Sequence, residues 1–580
     1  MRLVVAYACA ACFAACSSPS PSSQDAAVPF DAPVAADAGA PAVDACALPS
    51  LFDAGAGAPE RWFDDVTLSA GIAFERAPVD GWNSIADRMT GGVCVLDADG
   101  VAPLDLFFAV RPVGGSGSHL YVARGPLDYA DETDARGLAD AGDAIGCLAL
   151  DADGDGDDDL FVTGVGSIRF FRNEAGHFVD ASATIAAALS PTGLYMSAAA
   201  GDLDGDGDLD VVVAGFLDSA FDDLIPGREC GGMPPCSPTM ADFPTVHNVL
   251  LRQEPDHSWT DVAATLAPDL VLPDPTLAVA IGRLDGDLLP DIWVGNDLGN
   301  RWPDRALGRA ATGAFADITA AVGLDRNRVG TGLDSMGWAT GDVDGDGRLD
   351  HVVTSFEREA TAVFVCGADG VCEDRSDVVG TTELADTFRW APGLVDLDLD
   401  GDLDLVEATG HLASDTEAAT IGFAHGREQP MNLLVNRGGH LSVPVLDAAD
   451  ASRVPRASRG LAVVDLDDDG RPDVVLAPSI GRPALLHNVR APAGSSLRVR
   501  LAGRGGNRAA AGARVTVTQC GVSVVRERAL GDGFLGNSDP RLLFGVPGTA
   551  PVRVEVEWPT GETTSRDDVA VGTELLLEQP

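Results

Sequence analysis

Five segments of this chain repeat one arrangement of carboxylates: DADGDGDDD from 151, DLDGDGDLD from 202, DVDGDGRLD from 342, DLDLDGDLD from 396 and DLDDDGRPD from 465. Each sets Asp at positions 1, 3, 5 and 9 and Gly at position 6. Oxygen donors gathered in one tight bend suit a hard divalent cation, and the glycine permits the sharp turn that brings them together. Calcium is the expected ion, because magnesium prefers a small octahedron with retained waters. The ion would neutralise carboxylates that otherwise repel over a few ångströms. Solvated turn aspartates are the plain alternative, and five repetitions of one spacing weigh against it. Two further segments match in part: DADGVAPLD from 97 carries Val101 at position 5, and RLDGDLLPD from 283 opens with Arg283. Sites around Asp97 and Asp285 are therefore doubtful.

The flanks identify the elements that hold these bends. Apolar runs such as GVCVL, GCLAL and GLAVV precede them, and LFVTG, VVVAG, HVVTS, LVEAT and VVLAP follow, short and rich in β-branched residues. Each ladder thus bends a β-hairpin. An EF-hand loop shares the opening spacing but takes a bidentate Glu at position 12 between two helices. Only the copy at 396 offers one, Glu407, whereas Val162, Val213, Val353 and Leu476 fill that place elsewhere. Aromatic segments, WFDDVT at 62, HFVDAS at 177, SWTDVA at 258 and AFADIT at 314, recur as outer strands.

Seven ladder starts separated by 54, 51, 81, 59, 54 and 69 residues match one four-stranded propeller blade each. An all-β chain with a seven-bladed β-propeller over 59–493 is expected, since stacked solenoid repeats would be more regular. The first aromatic strand precedes the first ladder, so the last blade should draw strands from both chain ends and leave no exposed edge. From 494 to 580 the ladders stop, and SLRVRLAG, ARVTVT, SVVRER and VRVEVEW alternate between Gly-rich turns. That pattern predicts a small C-terminal β domain, a barrel or sandwich.

A formal charge of −50 is far more than five divalent ions offset, which disfavours nucleic acid and anionic lipid as partners. A hydrophobic content of 46% excludes a disordered acidic chain beyond residue 60. Residues 1–16 place Arg2 before an apolar run and end in Ala14, Ala15 and Cys16. This is an export signal resembling a lipoprotein processing site, with Cys16 taking the lipid, and the run is too short to span a membrane. An ordinary cleaved signal peptide is the alternative. Residues 17–58, rich in Ser, Pro, Ala and Asp, read as a tether. Eight later cysteines suit disulfides in an oxidising compartment. Cys366 and Cys372 bracket GADGV, and Cys230 and Cys236 bracket GGMPP. Cys94 and Cys147 read either as a bridge between repeats or as two buried thiols, and Cys46 and Cys520 stay unassigned.

Catalytic patterns are absent: the nine histidines are scattered, and there is no helical zinc pair, nucleophile elbow or phosphate loop. His411 near Glu407 reads as a turn histidine, Asn296, Asp297 and Asn300 as Asx-turn residues, and Trp338 and Trp390 as packing residues of inner strands.

The ladders and their flanks resemble the FG-GAP/VCBS repeats of integrin-α-type propellers and of many secreted bacterial proteins. NRAAAGARVTV from 507, GDGFLGNSDPRLLFGV from 531 and VRVEVEWPTGE from 552 resemble the ASPIC/UnbV domain. GWATGDVDGDGRLD from 337, VGNDLGN from 294 and ATGHL from 408 are similar to the cartilage acidic protein family, which joins the two. The resemblance implies a secreted or surface calcium-binding propeller with no enzymatic activity and about five calcium ions. It implies side-chain ligands at Asp151, Asp153, Asp155 and Asp159; Asp202, Asp204, Asp206 and Asp210; Asp342, Asp344, Asp346 and Asp350; Asp396, Asp398, Asp400 and Asp404; and Asp465, Asp467, Asp469 and Asp473. At position 7 (Asp157, Asp208, Arg348, Asp402 and Arg471) the implied ligand is the backbone carbonyl, which is why arginine is tolerated. The resulting expectation is an exported envelope protein that binds a protein or glycan partner and meets the membrane only through a lipid anchor. A polysaccharide-acting enzyme using the propeller, and a purely structural spacer, are the alternatives.

Overall fold

In the computed structural model of this chain, the described residues are 59–77, 85–112, 117–219, 244–413, 418–419 and 425–580. Cys16, the 17–58 tether, Cys46 and the Cys230/Cys236 pair lie outside them. Among the described residues, no helix is long and apolar enough to cross a membrane.

The strands between Phe63 and Asn488 form seven sheets, each built around a ladder hairpin. Their innermost strands are Gly92–Leu96, Ala144–Leu150, Gly193–Gly201, Thr276–Gly282, Ser335–Gly341, Arg389–Val395 and Ala457–Val464. The sheets are numbered here in that order. Inner strands pack against their neighbours in sequence order, and the seventh returns to the first. There the Gly460 N–H donates to the Gly91 carbonyl at 2.8 Å. A Cβ on Gly460 would stand 2.6 Å from that oxygen, so the ring closes only because the residue has no side chain. The fold is a propeller-like ring.

The aromatic segments form the outer strands Phe63–Asp65, Phe178–Asp180, Trp259–Asp261 and Phe315–Asp317, with the short strand Ile185–Ala186 added beyond the third. Phe63–Asp65 pairs with Ala484–Asn488 of sheet 7, so the two ends of the ring share one sheet. Asp450 fixes that closure: its Oδ2 accepts the N–H groups of Trp62 at 2.6 Å and Phe63 at 3.2 Å. Its Oδ1 holds the N–H and hydroxyl of Ser452. Asp450→Ala would strand buried donors, at a cost of about 1–3 kcal/mol each. Hydrogen exchange of the Trp62 and Phe63 amides should accelerate by more than tenfold; unchanged exchange would refute this role.

Residues from Ser495 onward form two further sheets. One contains Ser495–Ala502, Leu542–Val546 and Glu574–Glu578, and the other Arg514–Gln519, Val522–Glu527, Val552–Glu557 and Thr563–Val569. Alternate residues such as Leu497, Val499, Val515, Val517, Val554 and Val556 pack with Phe544 and Trp558 into a common core. Period-2 alternation in the sequence produces this two-sheet core directly.

The segment joining Val522–Glu527 to Leu542–Val546 runs through the ring. The Leu530 carbonyl accepts from Ala200, Gly533 exchanges both backbone bonds with Trp338, and the Leu535 carbonyl accepts from Cys147. The Asn537 carbonyl accepts from Val95, and the Asp539 N–H donates to Val463. The Phe534 ring stacks on Trp390 at 5.4 Å. These partners are inner-strand residues of sheets 3, 5, 2, 1, 7 and 6, and only a segment on the axis can reach them all. Residues 530–539 are therefore an axial plug. A Cβ on Gly536 would lie 1.8 Å from the Val93 carbonyl oxygen, so the close approach requires glycine.

Two disulfides are formed among the described residues. Cys94–Cys147 joins the inner strands of sheets 1 and 2, and Cys366–Cys372 closes a hairpin. Cys520 is disulfide-bonded as well.

Candidate metal centre

Each ladder fills the bend between the first and second strands of its sheet, with no helix on either side. Position 9 is the first residue of the second strand, as in the pairs Leu150↔Asp159, Gly201↔Asp210 and Val395↔Asp404. This register explains the apolar residues at position 12, which point into the sheet core rather than at the bend. Glu407 is turned away likewise, accepting from the Thr361 hydroxyl and, at 2.7 Å, from Asn432 Nδ2.

The position 9 aspartates do more than gather charge. In all seven loops, Oδ2 accepts the position 2 N–H at 2.8–3.0 Å. Oδ1 accepts an N–H from the third strand or its end at 2.6–3.1 Å. One carboxylate thus ties the bend to the second and third strands. That is why Asp105 and Asp291 persist in the two degenerate loops.

Positions 1, 3 and 5 curl into a crown. Asp151 accepts the N–H groups of Gly154 and Gly156 at 2.8 and 3.0 Å, Asp153 that of Asp155 and Asp155 that of Asp157. Gly156 sits at φ 102°, the left-handed backbone that makes glycine necessary at position 6. Oxygens of Asp151, Asp153 and Asp155 lie within 4.8 Å of one another, and so do those of Asp202, Asp204 and Asp206. Asp342 holds the same two backbone N–H groups, and Asp396 holds those of positions 5 and 6, Asp400 and Gly401. Burial, with the charges of Asp155 and Asp158, pushes Asp151 up to about 6. Burial likewise pushes Asp159 and Asp210 up to about 8, and raises Asp396 and Asp404 well above the usual carboxylate range.

Position 7 side chains face outward. Asp157 accepts from Ala175 N–H at 3.0 Å and Asp402 from Gly438 N–H at 2.6 Å, while Gly506 of the tail packs on Asp208. Arg348 and Arg471 turn back to Asp346 and Asp469.

The donor set of the crowns is all oxygen, which fits a hard cation. The 396 ladder adds a specific sign: Asp398 Oδ1 is buried and has no hydrogen-bond donor, while Oδ2 faces Arg437 at 3.5 Å and Arg490 at 3.7 Å. A buried carboxylate oxygen left without a donor is costly unless a cation meets it.

Of the degenerate loops, that at 97 still gathers Asp97, Asp99 and Asp105. The loop at 283 does something else. Arg283 reaches the tail, donating to Glu557 at 2.8 Å and to the Gly512 carbonyl at 3.0 Å, while Asp285 accepts only the Asp287 N–H. A cavity of about 500 Å³ opens between the 202 and 283 loops and the tail, with Arg309, Leu288 and Pro559 in its walls.

A set of amides was not foreseen. Asn173, Gln253, Asn436 and Asn488 end the third strands of sheets 2, 3, 6 and 7, and their side chains donate to the position 2 carbonyl of the preceding sheet's loop. The acceptors are Ala98, Ala152, Val343 and Leu397, at 3.1, 2.6, 2.8 and 2.8 Å. The recurring endings FFRN, LLRQ, LLVN and LLHN carried that signal.

The remaining polar candidates are structural. His411 Nδ1 accepts the Ala413 N–H, Asn296 bonds Thr276 and Pro303, Asp297 accepts the Leu298 N–H and Asn300 that of Gly332. Trp338 packs tilted against Trp293 at 4.4 Å, and Trp390 stacks on Phe388 at 4.7 Å, in the inner-strand core.

Two family models match parts of this chain. Residues 151–213 match the FG-GAP-like repeat and residues 503–580 match ASPIC and UnbV. The chain is 23% identical over 461 residues to Cartilage acidic protein 1 of Mus musculus, covering 75% of this chain and 64% of the relative. It thus spans less than two thirds of that relative's length. Among solved structures it is similar to an Agrocybe aegerita lectin described as recognising non-reducing terminal N-acetylglucosamine, at 15% identity and TM-score 0.35, covering 62% of this chain and 82% of that one. It is also similar to a Bacillus licheniformis rhamnogalacturonan lyase, at 11% identity and TM-score 0.33, covering 70% and 72%.

Proposed function

We propose that this protein is an exported, surface-tethered binding module whose propeller-like ring is stabilised by calcium and whose loops engage a protein or glycan of the envelope or matrix. The observation that most supports the calcium reading is the all-oxygen crown at successive hairpin bends, with the donorless Asp398 Oδ1 at its most buried copy. Asp151, Asp153 and Asp155, with their counterparts at 202, 342 and 396, would hold the ions. Bound calcium would supply charge neutralisation and a cross-link within each bend. Disulfides within the ring fit an oxidising compartment, and lipid on Cys16 would hold the chain at a membrane surface.

The binding role is supported by the fold's arrangement, since loops on a rigid ring are the usual carriers of recognition. Cavities of about 300–1,000 Å³ are typical of small-ligand sites, and the crevice beside Arg309 offers a place for an acidic group. Full-length protein should retain an envelope or matrix component saturably in calcium and release it in EGTA. Retrieval of nothing in either buffer, with glycans intact or removed, would sink the binding role. A polysaccharide-acting enzyme, the second reading, would have to work on an outer face, because residues 530–539 fill the axis.

Two variants separate the roles within one ladder. Asp153→Asn should cost about 2–3 kcal/mol of stability in calcium and almost nothing in EGTA, because it removes a ligand alone. Asp159→Ala should cost about 2–4 kcal/mol in both, since it also strands two backbone donors. Urea midpoints in the two buffers check this, and equal behaviour of the two variants would contradict it.

A further inference from the structure

The 465 ladder differs from the others in a way that goes beyond the general calcium reading, on which the following rests. Every carboxylate in it faces an arginine or a histidine of this chain. Arg498 Nη1 lies 2.9 Å from Asp465 Oδ2 and 2.8 Å from Asp468 Oδ1. Arg541 Nη1 lies 2.7 Å from Asp468 Oδ1, and its Nη2 donates to the Asp465 carbonyl at 3.3 Å. Arg471 pairs with Asp469, and His487 stands 3.1 Å from Asp473 Oδ1 and 4.0 Å from Asp467 Oδ2. By contrast, among the described residues no arginine or histidine comes within ion-pair distance of the 202 ladder, and only Arg172, at 4.0 Å from Asp153, approaches the 151 ladder. In the 342 and 396 ladders Arg348 meets Asp346, and Arg437 and Arg490 meet Asp398 and Asp400, but among the described residues no ion pair reaches the position 1 carboxylates Asp342 and Asp396.

The sequence cause is position 4. The ladders at 151, 202 and 342 have glycine there, whereas this one has Asp468, held at φ 59°. Its extra carboxylate is the one that receives both tail arginines. Arg498 lies on the tail strand Ser495–Ala502 and Arg541 between the plug and the strand Leu542–Val546, so they reach the seventh sheet only when the tail is seated. The loop at 283 carries the same idea with the charges exchanged, Arg283 on the ring meeting Glu557 on the tail at 2.8 Å.

We propose that the 465 ladder is a latch in place of a cation site: Arg498 and Arg541 take the position of the divalent ion and fasten the tail to the last sheet. An arginine nitrogen on the position 1 carboxylate occupies the oxygen a cation would need, and two guanidinium charges nearby repel it.

Counting bound calcium per intact chain by native mass spectrometry, at fixed free calcium, tests the assignment. Asp202→Asn should lower the count by one, and Asp465→Asn should leave it unchanged. The double variant Arg498→Gln, Arg541→Gln should raise the count by one and speed exchange of the Ser495–Ala502 amides. Should Asp465→Asn fail to fold, Asp469→Asn, at an exposed position of the same loop, carries the same expectation. A loss of one calcium in either 465-loop variant overturns the latch while leaving the calcium reading intact. A wild-type count of zero removes both.

Discussion

Withdrawing calcium with EGTA should lower the unfolding midpoint of the intact protein by about 10 °C or more, the largest shift expected for any solvent change. A ligand that binds only the folded state stabilises it by about 2.7 kcal/mol per site at a hundredfold excess over Kd. Four cation-type ladders at 151, 202, 342 and 396 would together supply an amount comparable with the whole stability of a typical domain, about 5–15 kcal/mol. Without the ion, carboxylates raised by burial, such as Asp159 and Asp210 at about 8, must either bind protons or repel. Differential scanning calorimetry at matched ionic strength measures the shift. Magnesium at the same concentration should restore less than half of it. Coincident midpoints with calcium and with chelator would end the calcium account.

Leu535→Asp should be the most damaging single substitution in the tail. Leu535 is fully buried among the inner strands, its carbonyl accepts from Cys147 and its N–H donates to Ser197. A carboxylate placed there has no cation to meet and no water, a change that costs roughly 3–5 kcal/mol or more. The loss falls on the ring as well as the tail, because six of its sheets share the plug. Val522→Asp, at a site 54% exposed on the same domain, should stay within about 0.5 kcal/mol of wild type. Urea denaturation and proteolytic release of the tail are the readouts. A plug variant as stable as Val522→Asp would mean that residues 530–539 merely rest on the ring.

The sequence carried the parts of this architecture that obey short periods. A ladder flanked by two β-branched runs can only be a bend in a hairpin, and the aromatic segments fall one strand pair later in each unit, so sheets and their order followed. The sharing of sheet 7 by both chain ends followed from the lone aromatic strand at Phe63. What eluded the reading depends on partners far away in the chain. GDGFLGNSDP looks like a glycine-rich loop of the tail, and nothing within it announces the axis of another domain. At position 9 charge is the property visible in the sequence, and the strand-tying bonds appear only once the third strand is placed. The arginines at 498 and 541 were uninformative until Asp468 came within reach.

The shared sheet 7 has a consequence for biogenesis. The strand Phe63–Asp65 has no strand partner until Leu486 to Asn488 exist, and the segment that fills the axis lies later still. The early repeats must wait through nearly the whole of translation with an unzipped seam, and only then can the circle lock and its stopper be seated. Such long-range pairing makes for slow maturation, and shortening the chain anywhere before its last strands should yield material that proteases clear.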